Sequence, residues 1–434
     1  MTPPFTNIHL HVFNSACAPD RFLMIIPMPF LRRFPAKVKW LLETKTGRFI
    51  IDNWYRFTES QSTAKRKKLA KYLSFLDVGT NATQQQVFET ALKAGTAYDS
   101  SVRLIGLTLN MDYMDSQPSQ HQISYETQLE QVKAVKRYYP TNFFPFLGID
   151  PRHKSGMDLV NWAKPYFESG VMDKTGKVYP YFSGIKLYPA LGFFPFDPRL
   201  DELYTYAEKN HLPVITHCTR SGSQYVGGQI ESLIPRKPLI NLAPGKQASI
   251  LARDNIYLRI QRYYNDKAWI KNNDRGENDF ACDLFGHPEN YIPLLEKFPE
   301  LKICLAHMGG SDEIFNNDPK RQAELKILWA ADGFNWFDKI TDMMKEYPNM
   351  YTDISYTVAD FDNPQLMARV LSMFHLFDKN GKPLGNRALF GTDFFMTEQE
   401  KHESELYKLA LDKLNSWHDL LTRKNPQEFL MQPL

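Results

Sequence analysis

Asn7-Ile8-His9-Leu10-His11 lies near the start of the chain. On an extended strand alternate side chains share a face, which puts His9 and His11 on one side and Ile8 and Leu10 on the other. Two neutral imidazoles so placed suit a metal ion, although strand histidines also serve simply to cap a sheet face. Three later apolar runs strengthen the metal reading. Leu212-Pro-Val-Ile-Thr-His217, Leu301-Lys-Ile-Cys-Leu-Ala-His307 and Ala388-Leu-Phe-Gly-Thr-Asp393 each end on a residue able to ligate a metal or move a proton. Each reads as a buried parallel strand with its polar group at the C-terminal end. Taken singly, His217 could be a core histidine bonded to a carbonyl, His307 a cap of the Gly309-Gly310 turn, and Asp393 an N-cap. On separate strand ends together, they point to one site.

Eight stretches read as strands: Thr6–Val12, Val102–Leu109, Phe143–Ile149, Gly184–Tyr188, Pro213–Cys218, Lys302–His307, Met350–Ser355 and Ala388–Thr392. Helical patterns fall between them, as at Tyr125–Tyr138 and Asp201–Asn210. That alternation predicts an α/β protein, a (β/α)8 TIM-like barrel. An open doubly wound sheet competes, but no GxGxxG follows an early strand. The connections after strands one and five far exceed the two to six residues of a simple βα loop. Long insertions are therefore expected at about 14–100 and 220–300, within one barrel domain spanning residues 1–434.

Composition agrees. The 434 residues are 43% hydrophobic, enough for a large core, and carry a net charge of +3 from 52 basic and 49 acidic residues. The densest basic run, Lys65-Arg66-Lys67-Lys68, reads as a solvated helix face, so no nucleic-acid partner is expected. Cys17, Cys218, Cys282 and Cys304 form no CxxC pair, which suggests a reduced, cytoplasmic protein. The early His-bearing strand leaves no room for a cleaved secretion signal. Phe22–Leu31 is apolar but short and broken by Pro27 and Pro29, so it reads as a lid or packed insertion, and no membrane partner is expected.

Further motifs complete an ordered set: Gly148-Ile-Asp150-Pro-Arg152, Gly184-Ile-Lys186-Leu-Tyr-Pro189, Ala306-His307-Met-Gly-Gly310, Gly391-Thr-Asp393 and Asn425-Pro-Gln-Glu-Phe429-Leu. In this order, spread over nearly the whole chain, they resemble the amidohydrolase superfamily, in its amidohydrolase-related (type 2) branch. The resemblance implies a divalent metal, most commonly Zn²⁺, at the C-terminal mouth of the barrel. In the mononuclear form the ligands would fall on His9, His11, His217 and Asp393, leaving His307 as general acid/base. Three imidazoles and a carboxylate are compatible with Zn²⁺ or a similar borderline ion. The resemblance also allows a homodimer.

Lys186 admits three readings. In binuclear relatives a lysine here is carboxylated and bridges two ions, with His217 and His307 both ligating the second. The preferred reading is a plain ammonium that binds a substrate carboxylate or oxyanion. The plainest is a strand-end lysine reaching solvent. Arg152 and Arg220 are candidate substrate contacts, with structural ion pairs as the alternative, and His153 could approach the site. His121, His211, His287, His375, His402 and His418 are expected to face solvent. Tyr188, Phe193, Phe194, Phe196, Tyr225, Tyr263, Tyr264, Phe394 and Phe395 gather near the predicted mouth, where they would suit an aromatic substrate or pack a lid.

The favoured function is a metal-dependent hydrolase of a lactone, ester or amide acting through metal-activated water, with His307 and Asp393 as the proton-transfer residues. The substrate is expected to be a small molecule, anionic or aromatic. A metal-dependent nonoxidative decarboxylase of a small carboxylic acid is the alternative. A non-catalytic, metal-stabilised scaffold is the third.

Overall fold

The computed structural model describes residues 2–19, 83–116, 122–220, 222, 224–227, 230–233, 280–315 and 335–430. The strands, in chain order, are β1 (Thr6–His11), β2 (Arg103–Leu107), β3 (Phe146–Ile149), β4 (Gly170–Met172), β5 (Val178–Pro180), β6 (Gly184–Leu187), β7 (Val214–Thr216), β8 (Ile303–Leu305), β9 (Met350–Asp353) and β10 (Ala388–Leu389). Eight of them make one sheet in the order β1-β2-β3-β6-β7-β8-β9-β10, and each neighbouring pair is parallel. The last edge meets the first. Ile8 N–H donates to the Phe390 carbonyl at 2.8 Å, Asp393 N–H to His9 at 2.8 Å and His11 N–H to Phe394 at 2.5 Å. The sheet is thus a parallel (β/α)8 barrel, and every expected strand lies in it, with trimmed ends.

Helices fill the crossovers because their apolar residues recur on one face while polar side chains cap their starts. Thr83 and Gln86 form a capping box for Gln84–Tyr98, Ser124 caps Tyr125–Tyr138, and Asn363 caps Pro364–Phe374. Asn335 caps Trp336–Glu346, which buries Trp336, Phe337, Ile340 and Met344. Inside the barrel a separate apolar plug joins Ile8, Ile105, Phe146, Ile215, Cys304 and Leu389, with Tyr351 and Phe429. Burying such a side chain contributes roughly 1.5–3 kcal/mol relative to leaving it exposed. The plug fixes the strands below the site.

The antiparallel pair β4–β5 was not expected from the sequence. Its strands are three residues long, and Met172 and Val178 are exposed, so no apolar alternation announces them. The interval between β1 and β2 is residues 12–102 and that between β7 and β8 is residues 217–302. Phe22–Leu31, Lys65–Lys68, His121, Tyr263 and Tyr264 lie outside the described residues. Among the described residues no helix is long and apolar enough to cross a membrane. All four cysteines are buried.

Candidate metal centre

β1 departs from simple alternation. Its register against β2 pairs Asn7 with Leu104 and Leu10 with Gly106, so Ile8 and His9 together face Ile105. Such a bulge turns two successive side chains toward one face. Ile8 therefore joins the interior plug, whereas Leu10 packs outside, which corrects the expectation that both would oppose the histidines. His9 and His11 still reach the same mouth, with ring centroids 5.5 Å apart.

Three donor atoms converge there. Asp393 Oδ1 lies 3.2 Å from His11 Nε2 and 3.5 Å from His9 Nε2. His9 Nε2 and Asp393 Oδ1 are buried and have no hydrogen-bond partner among the described residues. Buried polar atoms aimed at one another without a bond between them need a partner, and a divalent cation suits two imidazoles and a carboxylate. The residues present thus fit the metal that the sequence pattern suggests.

The far side of each ring is held. His9 Nδ1 is 2.9 Å from Asp353 Oδ2, and His11 Nδ1 is 3.3 Å from the Leu107 carbonyl. Donation of Nδ1–H to the carboxylate leaves Nε2 with its lone pair directed inward, the arrangement that orients metal-ligating histidines. Burial, then the charge of Lys186, pushes the His9 imidazole down to about 3 against the pull of Asp353, so it is neutral at ordinary pH. Burial alone would raise Asp353, but His9, His307 and Ser355 hold it well below the usual carboxylate range. Asp393 is likewise held low against burial, by His11, His9 and His307.

His307 and His217 continue the arc. His307 Nε2 is 3.1 Å from His217 Nδ1, and its Nδ1 is 3.0 Å from the Ser355 carbonyl. With Nδ1–H given to that carbonyl, His307 Nε2 accepts from His217. Ser355 Oγ also lies 3.0 Å from His9 Nδ1 and 2.9 Å from His307 Nδ1, and it bonds Asp353. His217 stacks on Tyr188 at 4.3 Å and does not join the His9–His11–Asp393 group. Its Nε2 instead faces Gly222, where a β-carbon would come within 2.8 Å. A second group able to hold a cation comprises His9, His307 and Asp353.

Lys186 is buried with no hydrogen-bond partner among the described residues, its Nζ 5.6 Å from the Tyr188 ring. It does not reach solvent. Burial lowers its pKa to about 8 despite the attraction of Asp353 and Asp393.

Local backbone serves the site. His307 and Asp393 take left-handed φ values of 66° and 64°, uncommon for residues other than glycine and concentrated at functional positions. Gly391 allows the close approach of three strands, since a β-carbon there would lie 2.6 Å from His9 Cβ and 3.0 Å from Ser355 Cβ.

The arginines are engaged elsewhere. Arg152 donates through Nε (2.8 Å) and Nη2 (2.5 Å) to the two carboxylate oxygens of Asp150, and Arg220 Nε lies 2.7 Å from Glu313 with its guanidinium over Trp336. His153 pairs with Glu126 at 3.3 Å. His287 is buried against Trp336 and accepts from Glu289 N–H, contrary to the solvent-facing expectation; a half-buried His418 bonds Tyr98. His211, His375 and His402 are exposed. Tyr188, Phe193, Phe194, Phe196, Tyr225, Phe394 and Phe395 are all buried.

Asp353 and Ser355 were missed by sequence reasoning. The strand Met350–Ser355 was recognised, and the polar Asp-x-Ser at its end was the available signal.

The Amidohydrolase family model matches residues 157–430. The chain belongs to this family of metal-dependent enzymes, in its type 2 branch. No curated protein matches the sequence. Among solved structures it is similar to an uncharacterized TIM-barrel protein from Bordetella bronchiseptica, with 14% identity over 98% of each chain and a TM-score of 0.44. It is also similar to 5-carboxyvanillate decarboxylase from Novosphingobium aromaticivorans, complexed with manganese and 4-hydroxy-3-methoxy-5-nitrobenzoic acid: 11% identity, 99% of this chain, 96% of that one, TM-score 0.46. A third is a probable 2-pyrone-4,6-dicarboxylic acid hydrolase from Acinetobacter baumannii with citric acid bound, at 12% identity, 99% and 100% coverage and a TM-score of 0.43.

Proposed function

We propose that this protein is a hydrolase of a lactone, ester or amide with an anionic group, using one divalent ion, Zn²⁺ by its donor set, held by His9, His11 and Asp393. The observation that carries the reading is the pairing of a buried carboxylate with an orphaned buried cation: Asp393 is held ionised, and Lys186 Nζ has no hydrogen-bond partner among the described residues. When bound, such an ion supplies Lewis acidity and lowers the pKa of a water it holds from 15.7 to about 7. Asp393, kept as a carboxylate, is placed to accept a proton. His307, joined to His217 and braced by Ser355, is the second proton-transfer candidate: its Nε2 would take the proton from Asp393 or the attacking water and pass it to the leaving atom. Lys186 steadies the oxyanion or the substrate's carboxylate as a buried point charge. Arg152 and Arg220 are already engaged by Asp150 and Glu313, so Lys186 takes the main anion-binding role.

Decarboxylation of a small carboxylic acid is the second reading, favoured by the same Lys186, which could hold the carboxylate that is lost. Metal-loaded protein assayed against chromogenic esters, lactones and anilides, and in parallel against small carboxylic acids with carbon dioxide release as readout, tests the choice. Hydrolysis that disappears in His11→Ala supports the first reading. Carbon dioxide release without hydrolysis replaces it with the second, and a metal-bound protein inert to both panels favours a scaffold.

A further inference from the structure

A bulge leaves strand backbone groups without their ladder partners, and something must satisfy those that are buried. In β1 that partner is a side chain. Asn7 is fully buried, and its Oδ1 accepts the N–H of His9 and the N–H of Thr392, each at 3.2 Å. Two backbone donors on one atom fix which end of the carboxamide is oxygen. Its Nδ2, with two N–H groups to share, then lies 2.7 Å from Thr392 Oγ1, 3.1 Å from Glu403 Oε1 and 3.2 Å from the Tyr407 hydroxyl. Thr392 Oγ1 donates to the same Glu403 oxygen at 2.8 Å. Thr392 immediately precedes Asp393, whose own N–H bonds the His9 carbonyl at 2.8 Å. One carboxamide outside the barrel therefore joins the backbones that carry two inward-facing donors, and anchors both to the helix Glu403–Leu414.

We propose that Asn7 is a positioning residue of the metal centre: by accepting from both His9 and Thr392 it holds the bulged strand against the Asp393 backbone, so that His9 Nε2 and Asp393 Oδ1 face one another. The inference rests on the metal reading given above. Asn7 touches neither metal nor substrate. Its effect is on how well the donor set is assembled before an ion arrives.

Cobalt(II) titration followed by visible absorption tests this on the full chain, comparing wild type with N7L, N7D and H11A, alongside thermal melting of each metal-free protein. N7L removes the acceptor and leaves two buried N–H groups unbonded. It is expected to weaken cobalt binding by about 10- to 100-fold, the usual range for partners that orient metal ligands. N7D keeps an acceptor for both amides and is expected to bind cobalt more tightly than N7L. If N7L does not fold, N7S, too short to span both amides and Glu403, takes its place under the same criterion. A folded N7L that binds cobalt like wild type overturns the inference. An equal loss in N7L and N7D also overturns it, because the acceptor is what separates positioning from packing. Wild-type protein that takes up no cobalt contradicts the metal reading itself, an outcome distinct from a failure confined to Asn7.

Discussion

Asp353 turns a pair of strand histidines into an oriented donor set, because it fixes the tautomer of His9 while Ser355 links it to His307. The roles of neighbouring imidazoles then separate under mutation. His11→Ala is expected to remove metal and turnover together. His307→Ala should keep most of the metal and lower turnover by about 10² to 10⁴, the range for a lost acid/base; unchanged turnover would remove His307 from the reaction. Lys186 gives a pH test. With its pKa lowered to about 8, the ammonium is charged below that value and neutral above it, so affinity for an anionic substrate should fall as pH rises through about 8. Lys186→Met should abolish that dependence, read as KM against pH. Of these residues His9 and His11 were legible in sequence as an alternating pair on one strand, and His217, His307 and Asp393 because they end apolar runs. Asp353 was not, since an acidic residue at a strand end reads equally well as a turn or cap.

β1 shows what a strand pattern can and cannot announce. Alternation correctly placed both histidines on one side, but the bulge that carries Ile8 inward depends on the register against β2, which no local pattern encodes. Its packing against β10 is tight at Gly391. Gly391→Ala should cost about 1–3 kcal/mol by overpacking and weaken metal retention, because the added carbon displaces His9; wild-type thermal stability in this variant would contradict that geometry. The helix Glu403–Leu414 docks on the same strand through a buried carboxyl. Burial raises the Glu403 pKa to about 8, against the bonds from Tyr407, Thr392 and Asn7. The folded protein therefore holds a proton that the unfolded chain releases near its ordinary value of 4.5, and stability from this group falls as pH rises from about 4.5 to about 8. Glu403→Gln should match wild type in thermal melting near pH 4.5 and exceed it near pH 8. The reverse order would place a charged carboxylate in the network.

The barrel was legible because eight parallel strands buried on both faces leave eight apolar runs, and their order in the sheet follows their order in the chain. The β4–β5 hairpin was not, being too short and exposed to leave a pattern. The site draws on β1, β6, β7, β8, β9 and the segment after β10, so it exists only when the barrel closes. We infer that this closure assembles a site for one divalent ion. Elemental mass spectrometry on protein purified without a His-tag or added metal tests that most directly. About one ion per chain, lost in His11→Ala, is the expected result. No ion after careful handling would contradict the claim, and two ions, with one lost in Lys186→Met, would replace the plain ammonium at Lys186 with a carboxylated bridge.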